Sequence, residues 1–214
     1  MKRLFNQDSP IWVFLSWLAD LVVLNFLWLI CCIPLITAGA STTAMYRVTL
    51  DMADKRGDSV VKAFFSAFRS NLKQATAAWL LILVVAAMLC VDFVLIWNWD
   101  VPAKLVLLVF FVFSAFFTLS VLIYVFPLMA YFDNTVKNLL KNAFLLSIRY
   151  FPQTIIMIAL SSFPFLLLIF LNNWFVYFGF IWLLFWFSAI AYLNSVLLLK
   201  IFKGLPSVPA QKDR

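Results

Sequence analysis

The sequence predicts an all-α, polytopic membrane helix bundle: five transmembrane helices with two cytoplasmic interfacial amphipathic helices. Three observations lead there. Apolar residues make up 66% of the 214 residues and charged residues 12%, with a mean hydropathy of +1.04. An ordinary soluble domain is nearer half apolar and a quarter charged, so a water-soluble globule of this size has nowhere to hide the surplus. Five apolar runs, about residues 11–36, 75–97, 105–132, 154–171 and 175–199, reach or approach the ~20 residues that cross a bilayer. Finally, the connections between the runs alternate between uncharged and basic.

The first run, residues 11–36, is long enough to tilt or to begin in the interface, and Pro34 and Gly39 end it. The segment from Gly39 to Gln74 carries Arg47, Lys55, Arg56, Lys62, Arg69 and Lys73. Within it, residues 60–74 place Phe64, Phe68 and Leu72 at helical spacing beside Lys62, Arg69 and Lys73, the pattern of a basic interfacial helix leading into the second span. Asn98-Trp99-Asp100 makes a short turn to the third span. Residues 133–153 carry Lys137, Lys141 and Arg149 and repeat the amphipathic pattern with Phe144 and Ile148. The fourth and fifth spans are joined by Asn172-Asn173-Trp174, and the tail carries Lys200, Lys203, Lys212 and Arg214.

Basic connections stay in the cytoplasm. Both long connections and the C-terminus are therefore expected inside, and five spans put the N-terminus outside despite Lys2 and Arg3. Trp12, Trp97, Trp99 and Trp174 fall at the outer ends of runs, where indole rings favour the interface, while Trp28, Trp182 and Trp186 read as packing residues. Residues 1–214 form one integral membrane domain. Ala63-Phe64-Phe65-x-x-Phe68-Arg69 aligns with Ala143-Phe144-Leu145-x-x-Ile148-Arg149 at an offset of 80 residues, suggesting parallel repeats over 60–132 and 140–200.

Candidate sites are few. Asp20 and Asp92 lie inside spans, where a charge costs about 2.5 to 3.5 kcal/mol and so faces a partner or a wet cavity. Asp92 is near the end of its span, with Lys104 across the turn as an expected partner. Asp20 has no such neighbour, and Asn25 is not cleanly on its face. Pro34, Gly39, Ser41 and Thr42 form a packing and turn motif in which Ser41 or Thr42 can cap the next helix. Lys62, Arg69, Lys73 and Arg149 are candidates for lipid headgroups or for docking a partner. Asp51, Asp54, Asp58 and Asp133 read as acids of solvated loops.

No catalytic constellation is visible. The chain has no His, which excludes the usual triads, and no Gly-Lys-Ser/Thr, which leaves nucleotide binding unsupported. No metal site and no cofactor are expected. Cys31, Cys32 and Cys90 read as buried structural thiols. The basic residues are accounted for by membrane topology, so nucleic acid is not an expected partner. No cleaved signal peptide is expected, since the first run is too long and no A-x-A site follows it.

Three blocks carry a resemblance. Asp20-Leu21-x-x-Leu24-Asn25-x-Leu27-Trp28, then Cys32 to Tyr46 with Pro34 and Gly39-Ala40-Ser41-Thr42-Thr43-Ala44, then Phe64-Phe65-x-x-Phe68-Arg69-x-Asn71-Leu72-Lys73-Gln74-Ala75-Thr76 resemble the YesL-like family of bacterial integral membrane proteins. The resemblance implies a multi-pass protein of the bacterial plasma membrane, whose relatives' genes often lie near sugar ABC-transporter genes. It carries no catalytic residues. The function expected from it is a non-enzymatic accessory subunit of an ABC-type carbohydrate (oligosaccharide) uptake system. Its partners would be the lipid bilayer and the permease and ATPase subunits, with oligomeric state open. The alternative is an independent small-solute transporter or channel using Asp20, with Pro127 and Pro164 freeing backbone carbonyls inside spans.

Overall fold

The structure, a computed structural model, describes residues 10–56, 59–98, 102–170 and 175–205, without the side chains at 10, 164–170 and 175–183. Expectations resting on Lys2, Arg3, Asp58, Trp99, Asp100, the 171–174 turn, Lys212, Arg214 and the side chains of Pro164 and Trp182 lie outside these residues. Among the described residues, seven α-helices follow in order: α1 Pro10–Cys32, α2 Ala38–Ala53, α3 Val60–Asn98, α4 Lys104–Tyr131, α5 Val136–Arg149, α6 Phe151–Phe170 and α7 Phe175–Lys203. Among the described residues, four helices are long and apolar enough to cross a membrane, or five if the bent pair α5–α6 counts as one span.

The first apolar run is not one helix. Pro34 disfavours helical backbone at Ile33, so α1 stops at Cys32 and a single 3₁₀ turn, Leu35–Thr37, follows. The Thr37 hydroxyl donates to the Cys31 and Pro34 carbonyls at 2.8 and 2.9 Å, satisfying acceptors that the helix end would leave open. The chain then turns back as α2, a helix within the segment expected to be a basic connection. Most of its small positions, including Gly39, Ala40, Ser41, Thr43 and Ala44, are buried, and small side chains let neighbouring backbones approach. Around α2 stand α1, α3, α4 and α7.

Contacts between these helices fix their directions. Trp17 meets Tyr192 edge-on with ring centroids 5.1 Å apart, and Trp28 lies 4.8 Å from Phe187. Asn25 Oδ1 accepts from the Ser188 backbone N–H at 3.1 Å. Hence α7 runs antiparallel to α1. It runs parallel to α2, with Thr49 and Ser195 hydroxyls 2.7 Å apart and Lys203 bonded to Asp54. The start of α1 therefore shares one end of the bundle with the end of α2, the start of α3 and the end of α7. Trp12, expected at the outer end, lies at this end beside Lys55 and Arg56.

The separate interfacial helix expected over 60–74 does not exist. No Pro or Gly interrupts residues 60–98, and α3 runs unbroken for 39 residues, ~58 Å. The α1–α2 turn reaches only its middle, where Trp79 Nε1 donates to the Leu35 carbonyl at 2.7 Å. In the corresponding stretch of the expected second repeat, Pro152 interrupts the helix. Tyr150 leaves helical geometry (φ −110°, ψ 44°), and α5 and α6 meet at 102°. The aligned position in α3 is Leu72, so one proline separates a straight helix from a bent pair. Thr135 caps α5 by accepting from Asn138 N–H, and Gln74 ties α3 to this corner by donating to the Asn134 carbonyl. Helix α4 continues through a buried Pro127.

Candidate functional site

The candidate residues separate into three places. At the α1–α2 turn, Gly39 has no room for a side chain: a Cβ there would come within 2.6 Å of both the Ala75 carbonyl oxygen and Trp79 Cβ. Ser41 and Thr42 do not cap α2, which starts at Ala38 with Thr37 at its N-cap. Ser41 donates to the Trp28 carbonyl at 3.0 Å, and Thr42 accepts from Trp28 Nε1 at 3.1 Å. They bind α2 to α1. Pro34 is exposed at the turn. Asn25 is fully buried against α7, apart from Asp20.

The far half of the α3–α4 hairpin holds Asp92. Residues 86–98 and 104–115 extend past the α1–α2 turn, and of them only Ile96 is buried. Phe93 packs on Phe111 across the hairpin at 5.5 Å, while Val91, Val94, Val106, Phe110 and Val112 face outward. Asp92 is exposed among them. The expected pair with Lys104 is absent: Lys104 Nζ donates to the Trp97 carbonyl at 3.1 Å and sits 6.0 Å from its ring centroid. Cys90, expected to be buried, is exposed on the same surface, and Cys31 and Cys32 are half-buried; all three are free thiols.

The third place is the shared end of the bundle, where Asp20 faces a cavity of about 400 Å³. Trp12 and Trp17 come from α1, Asp51, Lys55 and Arg56 from the end of α2, and Val60 and Ala63 from the start of α3. Asp51, expected in a loop, is helical and pairs with Arg47 at 2.9 Å. Asp54 closes α2 and pairs with Arg56 and Lys203. The hydrogen bond from Lys203 holds the Asp54 carboxyl below its ordinary value of 3.8, with help from the nearby Arg56 charge. Helix α2 ends in a Schellman motif: Arg56 N–H returns to the Asp51 carbonyl and Lys55 N–H to that of Met52. Lys55 sits at the left-handed position, φ 56°, normally given to Gly.

Lys62, Arg69 and Lys73 are exposed along α3, with Phe64 turned fully into the core and Leu72 outward. Arg149 is exposed at the end of α5, 5.6 Å from the Tyr150 ring centroid. These four cations do not converge with Asp20 or Asp92. Among the described residues no three His, Cys, Asp or Glu side chains group as metal ligands.

Residues 21–93 match the family described as Protein of unknown function, DUF624. The chain is 27% identical over 150 residues to Uncharacterized protein YesL of Bacillus subtilis (strain 168), across 68% of this chain and 70% of that relative. No solved structure matches the chain. The family match contains Asn25, the α1–α2 turn and the whole of α2, and it ends at Phe93, next to Asp92.

Proposed function

We infer, from the match of residues 21–93 to the DUF624 family and the similarity to YesL, that this chain is a YesL-like protein and a non-enzymatic accessory subunit of an ABC-type oligosaccharide uptake system in the bacterial plasma membrane. One observation carries the reading. Asp92 stands exposed on the apolar outer hairpin, with no ion pair to another described residue. Lipid alone covers Val94 or Phe110 at no cost, but a carboxylate against acyl chains is unfavourable, by about 2.5 to 3.5 kcal/mol at the bilayer centre and by less towards the interface, where Asp92 lies. A cation or hydrogen-bond donor on a neighbouring protein's helix removes that penalty. In this reading the hairpin is the docking element and the permease the partner.

Topology follows the same reading. The end of the bundle shared by Arg47, Lys55, Arg56, Lys62 and Lys203 is cytoplasmic by charge. Helix α1 then begins on the cytoplasmic side, not outside, because α2 returns the chain to the side on which α1 began. Helix α5, basic and amphipathic and bent 102° from α6, serves as the interfacial helix of the second half.

The test is a gentle-detergent purification of tagged protein, wild type and Asp92→Ala, with mass spectrometry of what accompanies it. Permease and ATPase subunits are expected at stoichiometric yield with wild type and strongly reduced with Asp92→Ala. Wild-type protein recovered alone overturns the reading. A second reading, an independent small-solute transporter, is favoured by the placement of Asp20 on a cavity. It requires that Asp20→Asn abolish uptake into reconstituted vesicles, and unchanged uptake ends it.

A further inference from the structure

The cavity at the shared end has a charge pattern that specifies its ligand. Asp51 is held by Arg47 and Arg56 is bridged to Asp54. That leaves one carboxylate, Asp20, and one ammonium, Lys55, on the lining without an ion pair to another described residue. A ligand that complements both is a zwitterion. Trp12 and Trp17 add indole rings to the lining, side chains whose π-systems attract cations. The volume, about 400 Å³, lies in the usual range for small-ligand sites.

Two further features choose the source of the zwitterion. The cavity lies beside the first turns of a candidate span, where Ile11, Val13, Phe14 and Leu15 are all exposed. Indoles at the beginning of a span mark the headgroup level of a bilayer. A headgroup seated between Trp12 and Asp20 leaves its acyl chains on that exposed apolar face. Lys55, meanwhile, occupies a left-handed backbone position at which Gly costs nothing and a side chain is disfavoured. Lys55 therefore lines the cavity in spite of a backbone conformation that disfavours a side chain.

We propose that this cavity binds the headgroup of a zwitterionic phospholipid with a primary ammonium, the ammonium on Asp20 and the phosphate on Lys55 and Arg56. The ammonium is primary because Asp20 offers a hydrogen-bond acceptor, which a quaternary ammonium cannot use. The proposal stands apart from the accessory reading, since Asp92 and the outer hairpin take no part in it.

The full chain, purified and stripped of lipid, is titrated with phosphatidylethanolamine, phosphatidylcholine and phosphatidylglycerol of identical acyl chains, and with soluble glycerophosphoethanolamine. Binding is read by native mass spectrometry and by the thermal midpoint. Phosphatidylethanolamine is expected to persist as a single adduct and to raise the midpoint. Asp20→Asn is expected to weaken it by about tenfold or more, the loss of one charge-assisted contact, while phosphatidylglycerol is unaffected. Lys55→Gly is expected to weaken both lipids without lowering the lipid-free midpoint, because Gly suits the position. Equal retention of phosphatidylglycerol or phosphatidylcholine by wild type overturns the proposal. So does unchanged phosphatidylethanolamine binding in Asp20→Asn. Glycerophosphoethanolamine binding as tightly as the lipid overturns the lipid as source.

Discussion

Gly39 shows how little slack the central contact has. An added Cβ meets a backbone oxygen and a Cβ, both at 2.6 Å, and neither is the movable end of a flexible side chain. Gly39→Ala is therefore expected to lower stability by about 1 to 3 kcal/mol, seen as a fall in the thermal midpoint of the detergent-solubilised protein. Gly204→Ala, whose nearest contacts are 3.5 Å away, should leave the midpoint in place. The sequence places Gly39 in a packing and turn motif with Pro34, Ser41 and Thr42. It does not reveal that Ser41 and Thr42 serve α1, because their partner, Trp28, lies across a reversal of the chain that no local pattern announces. Asp54 gives a pH prediction. Its folded pKa is below the unfolded value of 3.8, so its contribution is fully present above about pH 4 and is lost as pH falls through the folded pKa. Asp54→Asn should lower the midpoint slightly at pH 7, by well under 1 kcal/mol for so exposed a pair. The difference from wild type should shrink as pH falls below about 4 and the Asp54 carboxylate takes up its proton.

At the scale of elements, hydropathy located the long apolar helices and misread what precedes them. The third run, 105–132, is α4 to within a residue at each end, and α7 begins at the expected residue 175. Helix α2, expected only as the helix after the Pro34–Gly39 turn, did not stand out as a core element because its first half buries small residues, Gly39, Ala40, Ser41, Thr43 and Ala44, and because Arg47 and Asp51, paired to each other, look like the charges of a solvated connection. The unbroken α3 was readable in principle from the absence of Pro and Gly in 60–98. The change from amphipathic to uniformly apolar at residue 75 suggested two elements where the backbone makes one. Spin labels on a cysteine-free background distinguish these geometries. Labels at 62 and 97 should lie ~52 Å apart along a single straight helix. Labels at 137 and 163 should lie ~23 Å apart across the 102° bend, against ~39 Å for a straight helix. Pro152→Ala should move the second distance towards the straight value.

The whole molecule is a two-part object. Near the basic end, α1, α2, α3, α4 and α7 bury a continuous core that includes Leu24, Ala44, Phe64 and Tyr124. Beyond the α1–α2 turn, the α3–α4 hairpin continues almost unburied. The candidate cavity was not legible in sequence because Asp20 and Lys55 are distant in the chain and meet only through the hairpin of α1 with α2. Asp92 was legible as an intramembrane acid, but its isolation was not, since Lys104 had the right spacing and a different partner. The central claim is that the bare hairpin is covered by a permease. Its most direct test is photo-crosslinking in the native membrane, with a photoreactive residue placed at Val94, at Phe110 and, as a comparison, at Phe26 on the exposed face of α1. The account predicts adducts to a permease subunit from Val94 and Phe110 and none from Phe26. Adducts to lipid alone from all three positions would contradict it.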